Sequence, residues 1–219
     1  MVDSVTMTIR QIVAIVLAYL LGSIPTALIL SRRMLGADIR RMGDGNMGAQ
    51  NVSHMFGKRF GILVGALDIS KSALAVLLAM GLGLSLGWQM VIGVIAILGH
   101  DFPIFAGFKG GQGTAATLGV YLVLFPLQAL VALVVYGLLF AITKKHTLSA
   151  SIAGALILVE LVFMRQPWYV LVYVLALFIF IPIKKAADSY RVRAIAAQQG
   201  LHKDEMLKQK AQVLKHKTH

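Results

Sequence analysis

Gly99-His100-Asp101-Phe102-Pro103-Ile104-Phe105-Ala106-Gly107-Phe108-Lys109-Gly110-Gly111-Gln112-Gly113-Thr114-Ala115-Ala116-Thr117 separates two apolar runs, Val91 to Leu98 and the stretch that begins at Ala115. Glycine tolerates positive φ and lets a ligand come close to the backbone. A glycine loop feeding a helix start at Thr114 leaves N–H groups unpaired, and with Lys109 nearby it favours an anion such as phosphate. A second reading fits equally well: a polar loop between two membrane helices, its glycines kept for close packing.

Working outward, the flanking runs are too apolar for a soluble domain. The 219 residues are 58% hydrophobic and 14% charged, with a mean hydropathy of +0.79, which predicts an integral membrane protein. There is no cysteine, so disulfides, a thiolate nucleophile and Cys-based metal sites are excluded. The pattern predicts an all-α protein of about seven transmembrane helices, one of them short. The spans are Ile9 to Leu30 (interrupted at Gly22-Ser23-Ile24-Pro25), Phe60 to Leu86, Trp88 to Leu98, the short Ala115 to Phe125, Leu127 to Ile142, Leu148 to Met164 and Trp168 to Ile183. Residues 1–183 form one membrane domain and residues 184–219 a basic tail. Asp68 and Lys71 inside the second span share a helix face and can neutralise each other.

Charge sets the expected orientation. With the N-terminus outside, eighteen of the 21 Lys and Arg fall in inside segments, and only Arg10 and Arg165 remain outside. The tail, the glycine loop and a second polar loop, Gly43-Asp44-Gly45-Asn46-Met47-Gly48-Ala49-Gln50-Asn51, then share the cytoplasmic face. The net charge of +12, half of it in the tail, suits anionic lipid rather than nucleic acid. Two such loops on one face suggest a single site that takes a lipid-soluble acyl chain from the side and a water-soluble partner from the cytosol. No metalloprotease helix motif, Walker lysine or nucleophile elbow is present, and no metal is expected. His100 reads either as a helix-end hydrogen-bonding residue or as a base.

The run from Leu98 to Thr117 resembles the signature loop of the bacterial acyl-phosphate:glycerol-3-phosphate acyltransferases. Gly43 to Val52 is similar to their first cytoplasmic motif, Tyr19 to Pro25 to their first helix, and Leu67-Asp68-Ile69-Ser70-Lys71 to a further family pattern. The resemblance extends from about Ala18 to Asp188 and marks a divergent member. It implies a seven-helix fold in the bacterial cytoplasmic (inner) membrane. It also implies transfer of a fatty acyl group from acyl phosphate to the 1-hydroxyl of glycerol 3-phosphate, giving lysophosphatidic acid. No cofactor is implied, and the oligomeric state stays open, a monomer included.

By resemblance, Asn46, Asn51, His100 and Lys109 are catalytic. Asp44, Gly45, Gly48, His54, Gly110, Gly111, Gln112, Gly113, Thr114, Ser151, Lys185 and Asp188 contact substrate or phosphate. Several positions depart from the family pattern. Asp44 stands for Ser, Gln50 for Thr, His54 for a basic residue, Gln112 for Lys, Lys185 for His and Asp188 for Asn, while Ser151 matches. Gln112 and Asp44 together move the site two charges towards negative. A paralogue with a different acceptor, or without activity, and a lipid-binding or transport protein on the same scaffold are the alternatives.

Overall fold

The computed structural model describes residues 2–198. Most of the basic tail expected from residue 184, from 199 on, lies outside the described residues. Among the described residues nine α-helices run in order: α1 Val2–Gly22, α2 Thr26–Leu35, α3 Ala49–Phe56, α4 Lys58–Gly81, α5 Leu86–Asp101, α6 Thr114–Leu124, α7 Pro126–Thr143, α8 His146–Phe163 and α9 Trp168–Gln198. Short 3-10 turns lie just before the Gly43–Asn51 loop, at Ile39–Arg41, and within the glycine loop, at Ile104–Ala106.

Among the described residues six segments are long and apolar enough to cross a membrane: Val5–Met34, Lys58–Gly81, Leu86–Ala106, Pro126–Thr143, His146–Phe163 and Trp168–Tyr190. The Thr114–Leu124 helix is the shorter apolar element, at 11 residues. At 1.5 Å per residue it reaches about halfway across a ~30 Å hydrocarbon layer. The protein is therefore an all-α, multi-pass membrane protein. Two elements differ in detail from the hydropathy reading. The first span is broken outright, because Pro25 has no N–H to continue the helix and α2 starts anew behind it. The last helix does not stop at Ile183 but runs through to Gln198.

Close helix crossings position the site. A Cβ on Gly22 would lie 2.2 Å from the Ala96 carbonyl oxygen, and one on Gly99 would lie 2.5 Å from that of Tyr19. Only glycine permits such an approach, so α1 and α5 touch backbone to backbone where α1 ends. The segment after α2 is also well packed despite its polarity. Ile39, Met42, Met47 and Val52 are buried with Ala27, Leu28, Met55, Phe56 and Val64 in one cluster, which anchors the first loop. A larger cluster joins α5, α6, α7, α8 and α9 through residues such as Ile97, Val120, Ala132, Ile157 and Val174.

Candidate active site

The break between α1 and α2 forms one wall of a pocket. Its lining includes Ile24, Pro25 and Thr26 from the break, Met47 from the first loop, Asp68 and Lys71 from α4, His100 from the end of α5, and Gly111. Asp68 is 1% exposed and Lys71 6%, so neither can shed its charge to water. Each is instead partnered. The Asp68 Oδ1 accepts from Thr26 Oγ1 at 2.7 Å and from Lys71 Nζ at 2.8 Å. Lys71 Nζ also donates at 2.9 Å to the Ile24 carbonyl in the helix break, which accepts the Thr26 N–H as well, at 3.0 Å. His100 completes the group, its Nδ1 3.4 Å from Asp68 Oδ1 and its Nε2 4.0 Å from Asp101 Oδ1. A histidine is thus held between two buried carboxylates on the pocket wall.

The glycine loop leans on that histidine. The Gly111 N–H donates to the His100 carbonyl at 3.1 Å, and a Cβ on Gly111 would lie 2.0 Å from His100 Nε2. Gly113 takes a left-handed conformation, φ 73°, and its carbonyl accepts from the Thr117 N–H as α6 begins. The N–H groups of Gly110, Gln112, Gly113 and Thr114 have no hydrogen-bond partner among the described residues. Four free donors at a helix start form a cradle for an anion.

The first loop is built from its own side chains. Asn51, 1% exposed, donates through Nδ2 to the carbonyls of Met42 and Asn46, both at 2.9 Å, and accepts the Asp44 N–H at 3.3 Å. Its polar atoms are spent on holding the loop. The Asp44 carboxylate accepts the Asn46 N–H at 3.0 Å. Desolvation by the surrounding loop raises the Asp44 pKa, against the pull of that N–H, of His54 and of Lys185. Those three side chains therefore sense one another's charge. Arg40 ties the two loops together, with Nη1 donating to the Ala106 carbonyl at 3.3 Å. The guanidinium itself is fixed by Asp38, whose carboxyl it holds well below the usual carboxylate range against the opposing effect of burial.

The expected site residues are thus not all equivalent. His100, Gly110, Gly111, Gln112, Gly113 and Thr114 meet at the cradle, while Asp44, Gly45, Asn46, Gly48 and Asn51 form the adjoining loop. Lys185 Nζ donates to Thr147 Oγ1 at the start of α8, and Asp188 pairs with Lys184. Lys109 is exposed beside the cradle, and Ser151 lies exposed on α8. Among the described residues, no group of three or more His, Cys, Asp or Glu could hold a metal ion.

Four side chains are missed by the sequence reading of the site: Thr26, the pair Asp68 and Lys71 as pocket residues, and Lys184. Two intramembrane charges were a signal for the pair, since charges there are costly and mark sites. Lys184 and Asp188 are spaced i, i+4, the spacing of an ion pair. Thr26 carried no such signal.

The glycerol-3-phosphate acyltransferase family model matches residues 12–193. Glycerol-3-phosphate acyltransferase 5 of Dehalococcoides mccartyi is 48% identical over 127 residues, which is 58% of this chain and 54% of that protein. The chain thus spans about half the length of that relative. Glycerol-3-phosphate acyltransferase of Listeria monocytogenes is 36% identical over 189 residues, covering 85% of this chain and 95% of that one. The crystal structure of PlsY (YgiH), an integral membrane glycerol 3-phosphate acyltransferase in its glycerol 3-phosphate form, superposes with a TM-score of 0.74 at 30% identity. It covers 87% of this chain and 92% of that one. The lysophosphatidic acid form of the same protein gives a TM-score of 0.71 at 29% identity over the same shares. With the two loops, the short α6 and the cradle in place, this chain belongs to the glycerol-3-phosphate acyltransferase family.

Proposed function

We propose that the protein transfers a fatty acyl group from acyl phosphate to the 1-hydroxyl of glycerol 3-phosphate, giving lysophosphatidic acid and inorganic phosphate. The observation that carries this reading is the set of free N–H donors on Gly110, Gln112, Gly113 and Thr114 beside the buried Asp68–Lys71–His100 group. The donor is a mixed anhydride and already activated. The acceptor oxygen bonds to the acyl carbon, the carbon–oxygen bond to phosphate breaks, and the phosphate leaves with that electron pair. The proton of the acceptor hydroxyl ends on the released phosphate, so no proton is consumed overall. His100, facing the pocket between two carboxylates, is the side chain that relays it.

Phosphate charge develops on the leaving group, where the glycine-loop amides and Lys109 stabilise it. Positioning of the two substrates supplies the other large share of the acceleration. In this reading the acceptor phosphate is met by His54 and Lys185, whose influence reaches Asp44. This combination motivates the alternative of a less anionic acceptor.

The test is release of phosphate from palmitoyl phosphate by the purified protein, with and without glycerol 3-phosphate. Acceptor-dependent release with formation of lysophosphatidic acid is expected, and release that ignores glycerol 3-phosphate rejects the reading. Acceptor charge is examined by restoring the family residues in the double variant Gln112→Lys, Asp44→Ser. KM for glycerol 3-phosphate should fall at least ~3-fold, since an added cation near a phosphate is worth about 1 kcal/mol or more even at an effective dielectric of ~20. A higher KM in the variant means that Asp44 and Gln112 compensate each other.

The reaction is placed at the cytoplasmic face of the bacterial inner membrane, with the N-terminus outside and the tail inside. The distribution of positive charge supports this. Because the chain has no cysteine, single cysteines at Lys109 and Arg165 report the orientation directly. The first should be labelled only from the cytoplasm and the second only from outside, and the reverse pattern rejects the topology.

A further inference from the structure

Gly111 is held from behind by a residue that lies 73 positions further along the chain. Lys184, 6% exposed on α9, donates from Nζ to the Gly111 carbonyl at 3.2 Å. The same ammonium pairs with the Asp188 carboxylate one turn on and sits 5.0 Å from the centre of the Phe102 ring. A buried lysine so placed is fixed on three sides and has one strong donor committed to a backbone oxygen.

That oxygen belongs to the peptide joining Gly111 to Gln112. No peptide among the described residues is cis, and a trans peptide is planar, with its C=O and N–H on opposite sides. Fixing the Gly111 oxygen towards α9 therefore turns the Gln112 N–H the other way, and that N–H is one of the cradle's free donors. Nothing local enforces this choice. Gly110, Gly111 and Gly113 surround the peptide, and glycine crosses between backbone conformations at little cost. A flip of the 111–112 peptide would replace a donor with a carbonyl oxygen, which repels an anion. The Gly111 N–H, bonded to the His100 carbonyl, fixes the preceding peptide but not this one.

We infer that Lys184 is a positioning residue for the acyl transfer: by holding the Gly111 carbonyl, it locks the 111–112 peptide so that the Gln112 N–H is aimed at the phosphate. The inference rests on the acyl-phosphate reading for its substrate, but its core claim concerns anion binding and is measured without turnover.

The experiment uses the full-length protein in detergent or nanodiscs and inorganic phosphate as the probe, read as thermal protection. The wild type should be protected by phosphate. Lys184→Met, which keeps the aliphatic stem, should weaken phosphate affinity at least ~10-fold, as expected for loss of a donor held by a charge-assisted bond. Lys184→Arg, which retains charge and donors, should recover most of the affinity. Aiming is separated from simple loss of charge by a cycle with Gln112→Pro, which deletes the N–H in question, referenced to Gln112→Ala. The Pro variant should cost affinity when Lys184 is present and little more when Met replaces it, because the two changes remove one interaction. Additive losses, or wild-type affinity in Lys184→Met, overturn the inference, and so does a wild type that phosphate does not protect. Should Lys184→Met fail to fold, Lys184→Gln gives the same decision from a shorter arm, with weakened phosphate affinity expected and unchanged affinity rejecting the lock. In turnover assays the loss should appear in kcat more than in KM for glycerol 3-phosphate. A protein that binds phosphate through this lock but makes no lysophosphatidic acid would reject the acyltransfer reading alone.

Discussion

Gly111→Ala is expected to lower kcat/KM by about a hundredfold or more. The added methyl would lie 2.0 Å from His100 Nε2 and 2.7 Å from Cε1, far inside any real contact. His100 cannot swing aside, since it is 6% exposed and stands between Asp68 and Asp101. The loop must move instead, taking the Gly111 N–H from the His100 carbonyl and the carbonyl from Lys184. A displacement near 1 Å at a site that works by positioning costs on the order of a hundredfold. Gly137→Ala is the control. It lies inside α7 with nothing within 4 Å of the new methyl, and it should leave the rate unchanged. Steady-state kinetics with palmitoyl phosphate compare the two variants. Equal rates for Gly111→Ala and wild type would falsify the packing of the loop on the histidine.

The second large effect concerns stability. Lys71→Met leaves Asp68 charged, 1% exposed and without its nearest cation, and Asp68→Asn leaves Lys71 in the mirror situation. Breaking a buried pair in this way costs about 3–5 kcal/mol, because the survivor keeps its desolvation penalty without its partner. Each single variant should therefore unfold at a clearly lower temperature in detergent. The double variant Asp68→Asn, Lys71→Met should lose less than the sum of the two, since no unpaired charge remains. Thr26 and His100 also face Asp68, so the double variant does not return to wild-type stability. Single variants that melt with the wild type would mean that water reaches the pair.

Much of the fold was legible because lipid imposes simple rules. Apolar runs long enough to span, with Pro25 and Pro126 as helix boundaries, mark the spans, although α4 stops at Gly81 rather than Leu86 and the third segment reaches Ala106 rather than Leu98. The α1–α2 break was legible only as an interruption, because its ends depend on Lys71 capping the Ile24 carbonyl from another helix. Where the last helix ends was hidden for a related reason. Hydropathy falls at Lys184, yet helix formation does not require apolar residues, and the Lys184–Asp188 pair continues it.

The site divides along the same line. The glycines and His100 could be read from one contiguous stretch, whose local chemistry is distinctive. Lys109 stands out as a cation from its neighbours in sequence and is exposed beside the loop, whereas Lys184, buried against the Gly111 carbonyl, gives no such local signal. Asn51 is catalytic by resemblance, and its three hydrogen bonds, which no local sequence pattern announces, all run to the loop around it. Contacts across 40 to 80 positions of chain leave no periodic trace, and those contacts decide which polar groups face the ligand.

The contact between Lys184 and Gly111 also bears on the order in which the protein is made. Thr26, Lys71, His100 and the glycine loop all belong to the portion of chain that leaves the ribosome before α7, whereas Lys184 lies within the final span, on α9. During biogenesis the pocket walls are assembled early, and the peptide that aims the cradle is secured only when α9 has inserted. A nascent or C-terminally shortened chain holds the charged pocket without the fastening of its loop, so competence arrives in one step with completion of the last helix.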